Sequence, residues 1–437
     1  MKLFIILLSK FIYWFGKLFG KGSSLPGEIA LKLDHDILKK IKLPDNIIVV
    51  TGSNGKTSTS EMIYSVLKNA GFDVGCNLEG SNQTAGVATM ILRESNLKGE
   101  VKKDVLVIES DERYLRHTLK HFKAKYLIVT NLYRDQMTRN GNPEIIYNII
   151  KEAIQPETKL ILNADDPLSS LYGMRRENVT YFGMNKTLLS KTENNSAYND
   201  GKYCPNCKSP LKYDYYHFNH IGNYKCEKCG HSRKTPKYAV TNLNLETGEI
   251  VINDKYKIEM TLRSVYNAYN ILATFAISKL FGIDEETIVG TLTDYIIKND
   301  RVQNFDLNGH SAMLLTSKHE NSISYNQSLS YVVNQNKPCT VVVIVDSISR
   351  KYFTSETSWL WDIDFEMLAS DCVKKIVLAG KYSNDLMVRF ENSCIDIEKV
   401  IPKSNLDEMM QEVKENSIGD IYVVTCFSDR MKFLDRR

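Results

Sequence analysis

The stretch "NIIVVTGSNGKTSTSEMIYSVLKNAG", residues 46–71, decides the fold. A short apolar run ends in a turn carrying Gly52 and Gly55, and a helical pattern follows at once. That order reads as a buried strand feeding a helix through a tight loop. Glycines there let backbone N–H groups approach phosphate oxygens, and the helix N-terminus adds a favourable dipole. Gly52, Asn54, Gly55, Lys56, Thr57 and Ser58 are therefore the expected ATP-binding loop. Lys56 would neutralise the outer phosphates, and the Thr57 hydroxyl would bind Mg2+. Val50 stands where the general P-loop pattern has its first glycine, so the loop is a shorter variant.

The same theme recurs outward from this stretch. "DVLVIES" (104–110), "AKYLIVTNL" (124–132), "TKLILNADD" (158–166) and "NVTYFGM" (178–184) are apolar runs ending in polar residues, with helical patterns such as "NPEIIYNIIKEAI" between them. Strands alternating with helices predict a parallel sheet covered on both faces, with ligands at the carboxyl ends of the strands. A second series, "TVVVIVD" (340–346), "VKKIVLAG" (373–380) and "DIYVVTC" (420–426), predicts a smaller α/β domain. The expected division is a lead-in over 1–45, an ATP-binding domain over 46–304 and a C-terminal domain over 305–437.

A chain of 437 residues is too long for one ordinary core. Its net charge of +4 is spread along the sequence, which disfavours a nucleic-acid partner. Of nine cysteines, Cys204, Cys207, Cys226 and Cys229 form two C-x-x-C pairs separated by eighteen residues. Four thiolates on two tight turns suit a closed tetrahedral Zn2+ site, structural because no position is left for water. The insert is expected at about 200–232. The remaining five cysteines are scattered singly, as in a reducing compartment.

The opening "MKLFIILLSKFIYWFGKLFGKG" is apolar but broken by Lys10 and Lys17, so it is no membrane span. It lacks the small-residue cleavage site of a signal peptide. A helix lying in a membrane interface and a helix packed on its own protein both satisfy the pattern.

The loop form T-G-x-N-G-K-T resembles the Mur ligases, which join amino acids to peptidoglycan precursors through an ATP-made acyl phosphate. "VIESDE" places Glu109 where that family has an acidic Mg2+ ligand. "LNADDP", with Asn163 and Asp165, and "YNAYN", with Asn267 and Asn270, resemble its two nucleotide-contacting segments. "NDRVQ" (299–303) is similar to its hinge, with Arg301 retained and Asp300 in place of a glycine, and the resemblance implies that Arg301 binds ATP. The Cys-pair insert, "LPGEIALK" (25–32), "NLEGSNQTAGV" (77–87), "TNLYRDQM" (130–137) and "TSWLWDIDFE" (357–366) resemble one branch of that family. The resemblance implies ATP-dependent amidation of the D-glutamate α-carboxylate in lipid II, with ammonia from a GatD-type glutaminase partner. It implies a cytoplasmic enzyme and leaves contact with the inner membrane face open. Catalytic roles fall to Lys56 and Glu356, the latter aligned with an Asp that orients the partner's catalytic His. Here that segment reads "DSISRKYFTSETSW" (346–359) without the family's Asp-Gly, and the family's K-N-P reads Lys318-His319-Glu320. A weakly active or non-catalytic paralogue and a Mur-type amino-acid ligase therefore remain alternatives.

Overall fold

The computed structural model describes residues 1–18, 23–79, 81–136, 140–296, 302–348 and 356–437. It divides into two units. The first holds Met1–Tyr133, Asn142–Asn194 and Asn199–Ile297; the second holds Arg134–Gly141, Asn195–Tyr198 and Lys298–Arg437. Two short pieces of the middle of the chain thus fold with the C-terminal unit, which no local sequence pattern announces.

In the first unit, β1 (Asn46–Thr51) runs into α-helix Lys56–Asn69, followed by β2 (Val74–Cys76), β3 (Val105–Glu109), β4 (Tyr126–Val129), β5 (Lys159–Asn163) and β6 (Val179–Met184). These six pair in parallel in the order β6-β5-β4-β1-β3-β2. Residues 47–51 of β1 are all buried, as a strand covered on both faces requires. β1 lies between β3 and β4, so the strand order reverses beside it and opens a crevice beyond its carboxyl end. β7 (Lys212–Phe218) and β8 (Ile221–Lys225) form a separate antiparallel hairpin. β9 (Tyr238–Leu243) returns to the main sheet parallel to β6, and β10 (Glu249–Ile252) and β11 (Tyr256–Glu259) extend it antiparallel.

The N-terminal helix α1 (Lys2–Leu18) belongs to this unit and packs by one narrow face, burying Ile5, Ile6 and Ser9. The Lys2 ammonium donates to Lys98 O at 2.8 Å and the Lys10 ammonium to Arg93 O at 2.6 Å, so Lys10 turns inward. No helix among the described residues is long and apolar enough to cross a membrane.

The second unit is built on a six-stranded sheet of β12 (Val302–Leu307), β13 (His310–Ser317), β14 (Cys339–Ile344), β15 (Val373–Ala379), β16 (Val400–Lys403) and β17 (Asp420–Cys426). The order is β12-β13-β17-β14-β15-β16, parallel except for the β12/β13 hairpin. Its two faces are closed by separate apolar clusters, one around Tyr325, Trp359 and Phe390 and one around Met409 and Phe433.

Candidate functional site

The expected nucleotide loop sits at the crevice beside β1. Gly55 caps the helix with φ +81°, and a Cβ there would lie 2.2 Å from Asn270 Oδ1. Gly52 has φ +130°, and its Cβ would meet Thr130 Oγ1 at 2.3 Å. Both positions therefore exclude side chains for reasons of space as well as backbone geometry. The loop is clamped to the segment after β4. Asn54 N donates to Asn131 Oδ1 at 2.9 Å, the Thr130 hydroxyl to Asn54 O at 2.6 Å, and Tyr133 N to Ser53 Oγ at 3.0 Å.

Lys56 is buried. Its ammonium donates to Gly52 O, lies 3.2 Å from Ser53 O, and pairs with Glu112 Oε2 at 2.9 Å. Glu112 lies in the "VIESDE" segment, but the sequence offers three carboxylates there and does not say which one meets Lys56. Glu109 is buried at the end of β3, in register with Val50 of β1. Asn82 Nδ2 donates to its Oε1 at 2.9 Å, and Asn77 holds its backbone on both sides. Thr57 and Ser58 are half-buried in the first turn of the helix.

The remaining expected contacts fall on buried scaffolding. Asn163 donates to Thr130 O at 3.1 Å and accepts from Asp165 N at 3.0 Å. Asp165 is fully buried and accepts from Arg233 Nε at 2.5 Å, Tyr269 OH at 2.6 Å and Met184 N at 2.6 Å. Burial beside that carboxylate holds the Tyr269 phenol well above its usual range. Asn267 donates to Leu262 O at 3.0 Å, while its Oδ1 is buried with no partner among the described residues. Asn270 faces the loop, 3.5 Å from Thr59 Oγ1. Arg301 lies outside the described residues.

The four cysteines come together. Their sulfurs all lie within 4.8 Å of one another, with Cys204–Cys229 at 3.6 Å and Cys207–Cys226 at 3.4 Å. Zn–S bonds of about 2.3 Å in a tetrahedron need sulfurs about 3.8 Å apart, so the set fits that metal. Two turns of the same form present them. Lys208 N donates to Cys204 O at 2.8 Å, and Gly230 N to Cys226 O at 3.0 Å. Lys208 and Gly230, each four residues after its first cysteine, both have positive φ.

The hairpin between the turns is tied into the nucleotide unit. Gly222 N donates to Asp165 O at 3.0 Å, His231 Nε2 meets Pro167 O at 2.9 Å, and His217 Nε2 meets Met184 O at 2.9 Å. Phe218 at its tip packs on Tyr266, with ring centroids 4.3 Å apart. Arg233, just past the last cysteine, supplies the buried ion pair to Asp165. None of the nearby histidines is needed as a ligand.

In the second unit a polar cluster gathers on the short piece Arg134–Gly141. The Lys318 ammonium pairs with Asp135, Asn321 Nδ2 donates to Asp135 Oδ1 at 2.8 Å, and Arg134 pairs with Asp362 at 2.9 Å. The Arg134 guanidinium lies 4.2 Å over the Tyr198 ring. Buried Asp364 accepts from Ala197 N at 2.5 Å and Asn326 Nδ2 at 2.8 Å, and burial raises its carboxyl above the usual range. The sequence signal for this cluster lies in "TNLYRDQM" and "TSWLWDIDFE", which bear no motif of known chemistry. Glu356 is exposed; its Oε1 accepts from Ser358 N at 2.7 Å, and hydrogen bonding from the Ser358 side chain and backbone lowers its carboxyl below the usual range.

The chain matches two families: the Mur ligase middle domain over residues 50–225 and the MurT ligase C-terminal domain over residues 319–429. It is 34% identical to the MurT subunit of lipid II isoglutaminyl synthase (glutamine-hydrolyzing) from Staphylococcus aureus strain COL, covering 88% of this chain and 86% of that one. The chain belongs to the MurT family. The Streptococcus pneumoniae MurT subunit is 30% identical over 95% of this chain and 92% of its own length. Among solved structures, a pseudomurein peptide ligase type C from Methanothermus fervidus superposes with a TM-score of 0.68 at 21% identity, covering 92% of this chain and 79% of that one. That last likeness establishes the Mur-ligase fold, including the C-terminal domain. Within this MurT-family chain, the expected α/β architecture with its inserted four-cysteine ribbon is the observed one.

Proposed function

We propose that this chain is the ligase subunit of a glutamine-hydrolysing lipid II isoglutaminyl synthase, an ATP-dependent carbon–nitrogen ligase of peptidoglycan synthesis. The reading is carried by the buried Lys56 and Glu109 flanking a glycine loop at the switch point of a MurT-family sheet. A carboxylate is inert to ammonia until one oxygen is phosphorylated. In the first step the D-glutamate α-carboxylate attacks the γ-phosphorus of ATP and ADP leaves. In the second, ammonia attacks the acyl carbon, the C–O bond breaks, phosphate leaves and a proton is lost. The product is the D-isoglutamine amide.

Lys56 waits in a salt bridge with Glu112 and exchanges that partner for phosphate oxygens, placing its charge where negative charge develops. Loop N–H groups hold the remaining phosphate oxygens. Thr57 in the first helical turn and Glu109 at the end of β3, both hard oxygen donors, would hold Mg2+, which neutralises phosphate charge when bound. The four cysteines would hold one structural Zn2+. Asn163, Asp165, Asn267 and Arg301 are assigned to ATP binding. Ammonia comes from a GatD-type glutaminase subunit, with Glu356 facing that partner. No nucleic acid is involved, and the work is done in the cytoplasm, at the inner membrane face where the lipid-linked substrate is found.

Incubation with ATP, lipid II and either ammonium or glutamine, with and without the co-expressed glutaminase, tests the assignment. Amide with ammonium alone and with glutamine plus partner is expected. Amide with ammonium only would place the fault at Glu356 and its neighbours. No amide under any condition would favour the non-catalytic paralogue, and incorporation of an added amino acid would favour a Mur-type amino-acid ligase.

A further inference from the structure

Among the described residues, helix α1 is apolar on two opposite faces, one buried against the protein and one exposed. Ile5, Ile6 and Ser9 face the protein and are buried. Phe4, Leu7, Phe11, Trp14, Phe15 and Leu18 are exposed, Trp14 at 64%, Phe11 at 61% and Leu18 at 66%. At 3.6 residues per turn these six, with exposed Leu3, fall within an arc of about 120° opposite the buried face. Isolated exposed apolar residues are ordinary, but a continuous stripe along a helix of 17 residues, about 25 Å, is not.

The chemistry beside the stripe says what covers it. The first 21 residues carry Lys2, Lys10, Lys17 and Lys21 and no acidic residue. On the helix, Lys17 lies along one edge of the stripe and is exposed, whereas the Lys2 and Lys10 ammonium groups are held by Lys98 O and Arg93 O. An exposed cation at the rim with aromatic rings in the stripe matches the boundary of an anionic bilayer, where headgroups meet acyl chains. A protein partner would need a groove complementary to the stripe, because an interface core packs as densely as a protein interior. The outward face of a single helix is convex, and a deformable lipid surface needs no groove.

We propose that the exposed face of α1 is a membrane-docking surface, seating this unit on anionic lipid with Phe11, Trp14 and Leu18 at acyl-chain depth. The choice of lipid over another occupant rests in part on the proposed function, because a ligase acting on lipid II gains by staying at the bilayer. The attachment is peripheral and reversible, as a single amphipathic helix provides.

The test uses the full chain co-expressed with its glutaminase. Co-sedimentation is measured with vesicles of phosphatidylglycerol and phosphatidylcholine, and with phosphatidylcholine alone. Wild type is expected to bind the anionic vesicles, more weakly at high salt, and F11S/W14S at least tenfold more weakly. Amidation of lipid II in detergent should be unchanged in the variant, and amidation of lipid II in vesicles should slow. If F11S/W14S does not fold, two other measurements decide: the milder L18S variant, and quenching of wild-type tryptophan fluorescence by bromine-labelled lipid, lost in a conservative W14F variant. Equal binding by wild type and variants, or no vesicle binding by wild type, overturns the proposal. So does a stripe whose substitution dissolves a dimer or releases the glutaminase without changing vesicle binding. Vesicle binding without any amidation in detergent would instead refute the function and leave the docking surface standing.

Discussion

Replacing Asp165 by alanine should unfasten the ribbon from the nucleotide unit. Asp165 is fully buried and holds Arg233, the Tyr269 hydroxyl and the Met184 amide, at 2.5, 2.6 and 2.6 Å. Without the carboxylate, the Arg233 guanidinium, whose side chain is 11% exposed, is left as an unpaired charge beside a buried hydroxyl and a buried N–H. Breaking one side of a buried ion pair costs about 3–5 kcal/mol, because the partner keeps its desolvation penalty. For a unit of this size that lowers the unfolding midpoint by roughly 10 °C. Tyr269→Phe removes one donor and leaves the ion pair, so about 1–2 kcal/mol is expected. Calorimetric unfolding of both variants in the presence of zinc measures the two losses. Limited proteolysis should cut Asp165→Ala within residues 200–232 faster than wild type. A loss in Asp165→Ala within about 0.5 kcal/mol, the range of an ordinary surface change, would refute the reasoning.

Other consequences follow from the same geometry. Gly55→Ala forces a side chain into a left-handed position against Asn270, at a cost of about 1–3 kcal/mol, and should abolish ATP binding by calorimetric titration while Gly282→Ala, in open space, should not. Cys204→Ser, or chelation of the intact protein, should remove one zinc ion by metal analysis and loosen the hairpin that carries Phe218 against Tyr266, weakening ATP binding several-fold. The Glu285 carboxyl is held at about 2 by hydrogen bonds from Lys255 and Tyr256. A depressed carboxyl stabilises the fold above its ordinary value of 4.5 and loses that contribution as pH falls toward 2. Glu285→Gln should therefore flatten that part of a thermal-midpoint-against-pH curve and leave the acid end unchanged.

How much of this was legible in the sequence depends on the range of the interaction. The β1–loop–helix unit is written locally, as an unbroken apolar run followed by glycines and a helical period, and the structure places Lys56 where that reading puts it. The ribbon is equally local, because four cysteines at two-residue gaps have few other uses. The resemblance makes Asp165 a nucleotide contact, while its carboxylate meets Arg233 and Tyr269, 68 and 104 residues away, and no periodicity encodes such a meeting. The pairing of Lys56 with Glu112 is hidden for a related reason: Glu109, Asp111 and Glu112 are neighbours in sequence, and only the path of the backbone after β3 selects between them. Helix α1 shows a third limit. Its sequence is apolar nearly all round, so the pattern could not choose the packed face, and the structure uses Ile5 and Ile6 and leaves Phe11 and Trp14 outside.

The central claim is that the α-carboxylate is activated by phosphoryl transfer before ammonia attacks. Lipid II carrying oxygen-18 in that carboxylate, incubated with ATP, ammonium and this chain with its glutaminase, tests it directly. Each amide formed should be matched by one inorganic phosphate carrying one oxygen-18, and Lys56→Ala should form neither. Amide formed with unlabelled phosphate, or no amide from the wild-type complex, would contradict the account.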